Sequence, residues 1–312
     1  MKKNYSEILN KIIKETKDYI INNNLKSMIL GISGGIDSTV VAAICYEVSR
    51  QTGIPLIGRS LPSQHNKEGE TTTADLVGKA FCNDYKVSPL DYTDIAVWCV
   101  RKENIKQNKL ANGNIQARLR MIYLYNLASI HKGLVMDTDN LTENNLGYFT
   151  IHGDVGDFNP IGGLWKTEVF ELAKHLIEYY DLFSQGVEIG DKDSIKNREL
   201  IEYTYKRNAI KASLSLKPTA GLGITNNDLE EIGAESYDQV DDILEVILAW
   251  KMITVPIKYS FDNFMESDFI SELTHIPEEI IKNVAKRHFA SEFKRNKLPI
   301  KVNRLKLNYD WI

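Results

Sequence analysis

Cysteine is scarce in this sequence and follows no regular spacing. The 312 residues contain three cysteines, Cys45, Cys82 and Cys99. An odd number without the spacing of a metal site indicates reduced thiols, and therefore a protein of the cytoplasm.

Long apolar runs and an excess of basic residues are also missing. The first twenty residues, MKKNYSEILNKIIKETKDYI, have charges spaced among their apolar residues. We therefore expect neither a signal peptide nor a membrane-spanning segment there. The formal net charge is −4 and the pI is about 5.9. The sequence therefore has no excess of basic residues that would indicate a nucleic-acid partner.

The composition is that of an ordinary globular protein. Hydrophobic residues make up 43% of the sequence and charged residues 26%, and there is no internal repeat. A chain of 312 residues can bury one large core, or one core with a small appendage. We predict a single domain over residues 1–312.

Short apolar runs alternate with helical segments along the first 180 residues. Apolar spacing predicts a helix over residues 5–22, and SMILGIS, IPLIGRSLP, YKVSPLDY and GLVMDTD have the pattern of buried strands. The alternation predicts an α/β fold, with a doubly wound parallel sheet and helices on both faces. Residues 181–215 are charged and weakly periodic, which predicts a surface insertion, whereas 236–255 look helical and the tail over 291–312 is basic and irregular.

The most specific motif is GISGGIDS, at the point where the first strand meets the next helix. Glycines and a helix N-terminus offer backbone N–H groups to phosphates. A carboxylate at Asp37 would repel phosphate directly but can hold a magnesium ion that bridges to it. The alternative is a glycine-rich turn in which Asp37 or Ser38 only caps the helix. The predicted ATP-binding residues of this loop are Gly31, Ile32, Ser33, Gly34, Gly35, Ile36, Asp37 and Ser38.

SGGIDS resembles the pyrophosphate loop of the N-type ATP pyrophosphatases, and no GK[ST] follows that would make it a Walker loop. Other segments resemble the NAD synthetases within that family. They are NGNIQARLRMIYLYNLA, MDTDNLTENNLGYFTIHGDVGDFNPIGGLWKTEVFELAKHL, KPTAGL, SYDQVDDIL and SEFKRNKLPIKV. The resemblance implies an adenine nucleotide α-hydrolase-like fold and ATP cleavage to AMP and pyrophosphate.

The resemblance also implies roles on the ATP side. Glu143 matches an acidic residue that joins Asp37 on Mg²⁺, an arrangement that suits this hard cation. Thr138 and Thr219 match hydroxyls that contact ATP, and Lys166 matches a lysine on its phosphates. Lys166 stands near a predicted helix start, where a lysine opposes the helix dipole, so a functional role is favoured.

On the substrate side, Arg118, Asp157 and Lys294 match residues that bind deamido-NAD. Arg118 and Arg120 are two apart on a helix and point in different directions, so only one is expected to face the site. We choose Arg118. Lys294 has an equally simple alternative, a basic tail in solvent.

The sequence departs from the ammonia-using NAD synthetases at several places. Asp137 stands where these enzymes usually have glycine, Ile151 where they have lysine, and Phe293 where they have histidine. GDVGDFNP is one residue shorter than the usual form, so the match of Asp157 can shift by one. An apolar residue and an aromatic at these positions resemble the synthetase domain of the glutamine-dependent enzymes instead.

The implied reaction is amidation of deamido-NAD with ammonia through an acyl-adenylate, with ATP as co-substrate. Asp37 and Lys166 are the implied catalytic groups, and Asp154 is a candidate base. No cysteine–histidine pair indicates a glutaminase nucleophile, so ammonia is expected to be free or to come from a separate amidase subunit. Apolar residues on several faces of the long helix near 114–130 favour a homodimer over burial within one subunit.

Three other functions stay open at this point. A relative could amidate nicotinate mononucleotide or another small carboxylate. A pyrophosphatase that modifies tRNA or bases would need basic patches or metal-spaced cysteines. A nucleotide sensor without activity would not need both Asp37 and Glu143.

Overall fold

A computed structural model describes residues 3–63, 66, 68–91, 93–95, 97, 108–185, 195–218, 227–253 and 259–295. The strands are β1 (Met28–Gly31), β2 (Leu56–Ser60), β3 (Asp84–Val87) and β4 (Leu134–Val135). The helices are α1 (Tyr5–Asn22), α2 (Ile36–Thr52), α3 (Glu68–Phe81), α4 (Lys109–Ile130), α5 (Leu141–Leu146), α6 (Lys166–Gln185), α7 (Ile195–Leu214), α8 (Asp228–Ile232), α9 (Tyr237–Ile253), α10 (Phe261–Met265), α11 (Glu278–Ala290) and α12 (Glu292–Arg295), and Asp268–Leu273 forms a 3₁₀ helix. None of the helices in these ranges is long and apolar enough to cross a membrane.

The described strands form one parallel sheet in the order β3-β2-β1-β4. Successive strands are added on one side of β1 up to β3, and β4 then pairs with the other side of β1. Ligands of doubly wound sheets bind where the strand order reverses, outside the carboxyl ends of the strands. This topology therefore directs the site to the segments that follow β1 and β4.

Helices cover both faces of the sheet, as predicted. Side chains alternate along β1, so Met28 and Leu30 face one side and Ile29 faces the other. The first side packs against α2 and α3, and the same apolar cluster continues into α1, α6 and α7. Ile29 instead packs with Met121 and Leu124 of α4. The predicted doubly wound α/β class is confirmed.

A second apolar cluster lies in the helices that follow α7. Its buried members include Val240 and Trp250 of α9, Phe264 of α10 and Val284 of α11. Leu146 and Trp165 belong to the same cluster, so it reaches the two short segments that flank the site. The prediction of one domain over residues 1–312 stays a prediction, because the described part ends at residue 295.

The predicted surface character of residues 181–215 is wrong for helix α7. This helix packs on α2, α3 and α6, and Ala209 and Ile210 are buried. Its buried face also carries Lys206, whose ammonium pairs with Glu202 and lies 3.9 Å from the centre of the Tyr46 ring. A lysine on the buried face breaks the apolar periodicity, which is why the sequence pattern pointed to solvent. Whether the segment is an insertion stays a prediction.

The burial of α7 predicts different effects for two isoleucines of the same helix. Ile210→Ala should lower the free energy of unfolding by about 2 to 4 kcal/mol, because it leaves a cavity in the core. Ile201 is 67% exposed, so Ile201→Ala should change this free energy by less than about 0.5 kcal/mol. Denaturant unfolding of both variants measures the difference, and equal small effects would contradict the packing of α7.

Candidate active site

The glycine-rich loop joins β1 to α2 as predicted. Gly34 has a φ of +86°, and a Cβ there would lie 2.5 Å from the Glu70 carbonyl oxygen. Gly35 is the N-cap of α2, and its backbone N–H donates to Ser33 Oγ at 3.2 Å. The hydroxyls of Ser33 and Ser38 lie 2.9 Å apart. The loop thus brings backbone N–H groups and two hydroxyls to the N-terminus of a helix, which is an anion-binding arrangement.

Lys166, Asp37 and Glu143 meet beside this loop. Lys166 is only 2% exposed, and its Nζ lies 2.5 Å from Asp37 Oδ2 and 3.3 Å from Glu143 Oε1. Burial by itself would lower the pKa of Lys166, but the two carboxylates raise it well above its ordinary value. The lysine is therefore a buried, charged ammonium. Three residues that the sequence predicted separately form one cluster.

Asn140 connects both carboxylates and was missed by the sequence reasoning. Its Nδ2 donates to Asp37 Oδ1 at 2.9 Å, and its Oδ1 accepts from the Glu143 backbone N–H at 3.0 Å. Glu143 Oε2 in turn accepts from the Asn140 backbone N–H, which completes a capping box at the start of α5. The signal was present, because an asparagine three residues before a glutamate is the sequence pattern of this motif.

The oxygens of Asp37 and Glu143 face a common point, now taken by the lysine ammonium. Carboxylate oxygens are hard ligands that suit Mg²⁺, which usually binds one or two of them together with phosphates and water. Burial raises the pKa of Glu143 to about 7, with Lys166 opposing the shift and Asp37 adding to it. No group of three or more acidic, histidine or cysteine side chains suited to a metal occurs among the described residues. The donor set therefore fits Mg²⁺ only with further oxygens from a ligand.

A cavity of about 570 Å³ lies over the cluster. It is bounded by the loop, β2, α4, the segment around residues 147–154 and the start of the tail. The predicted site residues that line it are Gly31, Ile32, Ser33, Gly35, Ile36, Asp37, Ser38, Arg118, Thr138, Glu143, Asp154, Lys166 and Lys294. Gly34 is the loop residue that is not among those lining the cavity, and it is buried against α3. Thr219 lies outside the described residues.

Two of the three predicted substrate-side residues line this cavity. Arg118 Nη2 donates to the Ile151 carbonyl at 3.2 Å, and Lys294 Nζ donates to the carbonyls of Gly147 and Phe149, each at 2.7 Å. Lys294 is thus built into the wall rather than placed in a free tail. The expectation that only one arginine of ARLR faces the site is wrong, because Arg120 also lines the cavity.

Asp157 is the third, and it is not among the residues that line the cavity. Its Oδ1 accepts from the Tyr125 hydroxyl at 3.0 Å, and its Oδ2 accepts from the Val135 backbone N–H at 3.0 Å. Both oxygens therefore hold the end of β4 against α4. Asp154, three residues earlier, lines the cavity instead. Within one chain, nothing supports a contact between Asp157 and the substrate.

The three residues that differ from the pattern of the ammonia-using NAD synthetases lie at two depths relative to the cavity. Ile151 and Phe293 both line the cavity. Asp137 is buried behind it, and its Oδ1 accepts from the Asp139 backbone N–H at 3.0 Å. Burial raises the pKa of Asp137, and backbone N–H groups oppose the shift. Asp137 thus supports the loop after β4 without lining the cavity.

Four further residues of the cavity wall were not predicted. The Tyr148 hydroxyl lies 2.9 Å from Asp228 Oδ1 and 2.8 Å from Glu231 Oε2. Arg287 pairs with Glu231 at 3.0 Å and lies 4.8 Å from the centre of the Tyr148 ring. The acidic start of α8, NNDLEE, was the available signal. A single sequence does not reveal that α8 and α11 pack beside Tyr148, because that contact joins distant segments.

The backbone at Gly34 predicts a large effect of a single methyl group. Gly34→Ala should lower the free energy of unfolding by roughly 2 to 4 kcal/mol, because it combines a positive φ with a clash against backbone atoms. Gly53 also has a positive φ, +73°, but nothing lies within 4 Å of a Cβ built there. Gly53→Ala is therefore the control and should cost about 1 kcal/mol. Equal losses in denaturant unfolding would contradict the close contact at Gly34.

The chain is similar to known proteins along nearly its whole length. The family model described as NAD synthase matches residues 8–298. The NH(3)-dependent NAD(+) synthetase of Methanocaldococcus jannaschii is 31% identical over 87% of this chain and 96% of its own length.

Two solved structures share the fold. The NMN synthetase from Francisella tularensis has a TM-score of 0.69 at 24% identity and covers 97% of this chain and 100% of its own. The NH3-dependent NAD synthetase from Campylobacter jejuni has a TM-score of 0.63 at 20% identity and covers 96% of this chain and 100% of its own. The predicted adenine nucleotide α-hydrolase-like fold is confirmed, and with the family match over nearly its whole length, the chain belongs to the NAD synthase family.

Proposed function

We propose that this chain is a ligase that converts deamido-NAD to NAD with ammonia, through an acyl-adenylate made from ATP. The observation that carries the proposal is the cluster of Lys166, Asp37 and Glu143 at the N-terminus of α2. It combines a cation for phosphates with carboxylates for a metal ion, next to a loop that offers backbone N–H groups. The name of the Methanocaldococcus relative, an NH(3)-dependent NAD(+) synthetase, supports NAD as the product and ammonia as the nitrogen source.

We assign ATP to the loop over residues 31–38 with Thr138 and Lys166. Thr219, which lies outside the described residues, is assigned to ATP from the sequence resemblance alone. Loop N–H groups and the helix N-terminus bind the phosphates. Asp37 and Glu143 would hold Mg²⁺, which supplies neutralisation of the phosphate charge when it is bound. Lys166 then moves its hydrogen bonds from the carboxylates to phosphate oxygens. Each charged group of the cluster therefore has a partner of opposite sign in both states.

The first step is attack of the nicotinate carboxylate oxygen on the α-phosphorus of ATP. A new oxygen–phosphorus bond forms, the bond to the bridging oxygen breaks, and pyrophosphate leaves. Positioning and charge neutralisation carry this step, because no covalent bond to the protein is needed. Arg118 and Lys294 are the residues of the cavity wall that we assign to deamido-NAD.

In the second step ammonia attacks the acyl carbon, and AMP leaves with the bonding electron pair. The amine nitrogen must lose a proton, and Asp154 is the acceptor we assign. Burial raises the pKa of Asp154 to about 6, and the Thr150 N–H opposes the shift. The carboxyl is therefore ionised at neutral pH and able to take a proton.

The mononucleotide acceptor has weaker support than the dinucleotide. The Francisella structure is described as an NMN synthetase, but 24% identity establishes a shared fold alone. Mononucleotide acceptors should therefore be compared with deamido-NAD in the activity assay. No feature of the described residues favours tRNA or base modification.

A homodimer stays a prediction, with some support from α4. Leu110, Ile122, Tyr125 and Ile130 are exposed on this helix, and exposed apolar residues grouped on one element are typical of an interface. A separate amidase subunit that delivers ammonia also stays a prediction.

The role of Asp37 predicts the products and their loss. With ATP, Mg²⁺, ammonium and deamido-NAD, the chain should release AMP and pyrophosphate, and Asp37→Asn should lower this rate at least about 100-fold because a metal ligand is lost. Asp18, a partly exposed carboxylate of α1, offers the matched control Asp18→Asn, which should keep the wild-type rate. Nucleotide chromatography distinguishes AMP from ADP. Release of ADP and phosphate would remove the assignment, and a fully active Asp37→Asn variant would remove the metal role.

The nitrogen source is the second prediction from this site. The purified chain should saturate with ammonium and gain nothing from glutamine. Burial raises the thiol pKa of both described cysteines, Cys45 and Cys82, which disfavours the thiolate that a glutaminase nucleophile requires. NAD formation is measured with each nitrogen donor after contaminating ammonium has been removed. NAD formed from glutamine by the purified chain would show that a nucleophile has been missed. Stimulation only after addition of cell extract would indicate a partner amidase.

A further inference from the structure

The segment SYDQVDDIL has no role in the site described so far. It forms the start of α9, and its residues Tyr237 and Asp241 lie four apart, on one face of the helix. Both side chains reach the neighbourhood of Lys166. The segment therefore has contacts with the reactive cluster that its family resemblance does not explain.

Asp241 is a buried carboxylate that receives several hydrogen bonds. It is 4% exposed. Its Oδ1 accepts from the Thr142 hydroxyl at 2.5 Å. Its Oδ2 accepts from the Thr167 backbone N–H at 3.0 Å and from the Thr167 hydroxyl at 2.8 Å. One side chain of α9 thus holds residues of α5 and α6 together.

Thr142 extends this network to the backbone of the catalytic lysine. Its hydroxyl accepts from the Lys166 backbone N–H at 2.8 Å while it donates to Asp241. Thr142 precedes Glu143 in α5, and Lys166 is the first residue of α6. The hydroxyl therefore fixes the spacing between the two helix starts that carry Glu143 and Lys166.

Tyr237 holds the other end of the lysine. The Lys166 Nζ lies 5.6 Å from the centre of the Tyr237 ring, within the range of a cation–π contact. The aromatic ring thus borders the ammonium that the carboxylates pair with. Backbone and side chain of Lys166 are both held by the same turn of α9.

Burial raises the pKa of Asp241 to about 6, and its hydrogen bonds with Thr142 and Thr167 oppose the shift. An ionised carboxylate only accepts hydrogen bonds, so each of the three contacts has a defined direction. Loss of the Thr142 hydroxyl would leave both the Lys166 N–H and Asp241 Oδ1 without this partner. Small displacements of reacting groups have large effects on rates.

We propose that Asp241, acting through Thr142, is a positioning residue that holds Glu143 and Lys166 in register with Asp37 for binding and cleavage of ATP. The proposal rests on the proposed function for its kinetic readout. A purely structural cap on α6 would affect stability alone, whereas a positioning residue also changes the behaviour of the folded enzyme.

The test compares two substitutions at residue 142. Thr142→Val keeps the shape and loses the hydroxyl, and Thr142→Ser keeps the hydroxyl. Thr142→Val should lower kcat at least about tenfold and leave KM for deamido-NAD within about twofold, and Thr142→Ser should recover most of kcat. Thr16 is also fully buried, and its hydroxyl donates only to the Ile12 carbonyl. Thr16→Val is therefore the control and should keep the wild-type kcat.

A binding measurement separates this inference from the proposed function. Calorimetry with Mg²⁺ and α,β-methylene-ATP needs no acceptor, and Thr142→Val should bind the analogue at least about fivefold more weakly than Thr142→Ser. If the wild type forms no NAD but Thr142→Val still binds the analogue more weakly than Thr142→Ser, the positioning role stands and the proposed function fails.

Two outcomes overturn the positioning role. One is that Thr142→Val and the wild type have equal affinity and equal kcat, and the other is that both residue-142 variants lose the same amount of kcat. Should Thr142→Val not fold, Asp241→Asn replaces it, and wild-type kcat and affinity in that folded variant overturn the proposal.

Discussion

The structure depends on a buried ammonium. Lys166 is almost fully enclosed, and removing one partner from a buried ion pair typically costs about 3 to 5 kcal/mol. Asp37 and Glu143 must therefore both reach it, although they belong to α2 and α5. This requirement sets the position of the glycine-rich loop against the segment after β4. The ends of β1 and β4, adjacent in the sheet, bring these segments within reach.

The same charges serve the resting protein and the proposed reaction. Without a ligand, the carboxylates compensate the lysine. In the proposed complex with ATP, Lys166 would pair with the phosphates, and Asp37 and Glu143 would hold Mg²⁺. Each of these charged groups would then keep a partner of opposite sign. Asn140 and Thr142 hold the geometry in both states, because their bonds run to backbone groups as well as side chains. The site is thus organised before its substrates arrive, which lowers the cost of assembling the transition state.

The sequence predicted most of the sheet and the loop because these follow from local patterns. Apolar runs mark the strands, and SGGIDS marks an anion site after the first of them. The sequence did not predict the features that depend on contacts between segments far apart in the chain. Lys206 on the buried face hid the packing of α7, and the bonds of Asp157 to Tyr125 and Val135 were invisible without the fold. Arg120 reaches the cavity beside Arg118 because the cavity wraps around α4 further than one helix face.

We propose that the substrate carboxylate attacks the α-phosphate of ATP at this cluster. Deamido-NAD with both carboxylate oxygens labelled with ¹⁸O, followed by mass spectrometry of the products, tests this step. One labelled oxygen should appear in the phosphate of AMP, and pyrophosphate should stay unlabelled. Label in inorganic phosphate or pyrophosphate, with AMP unlabelled, would contradict it.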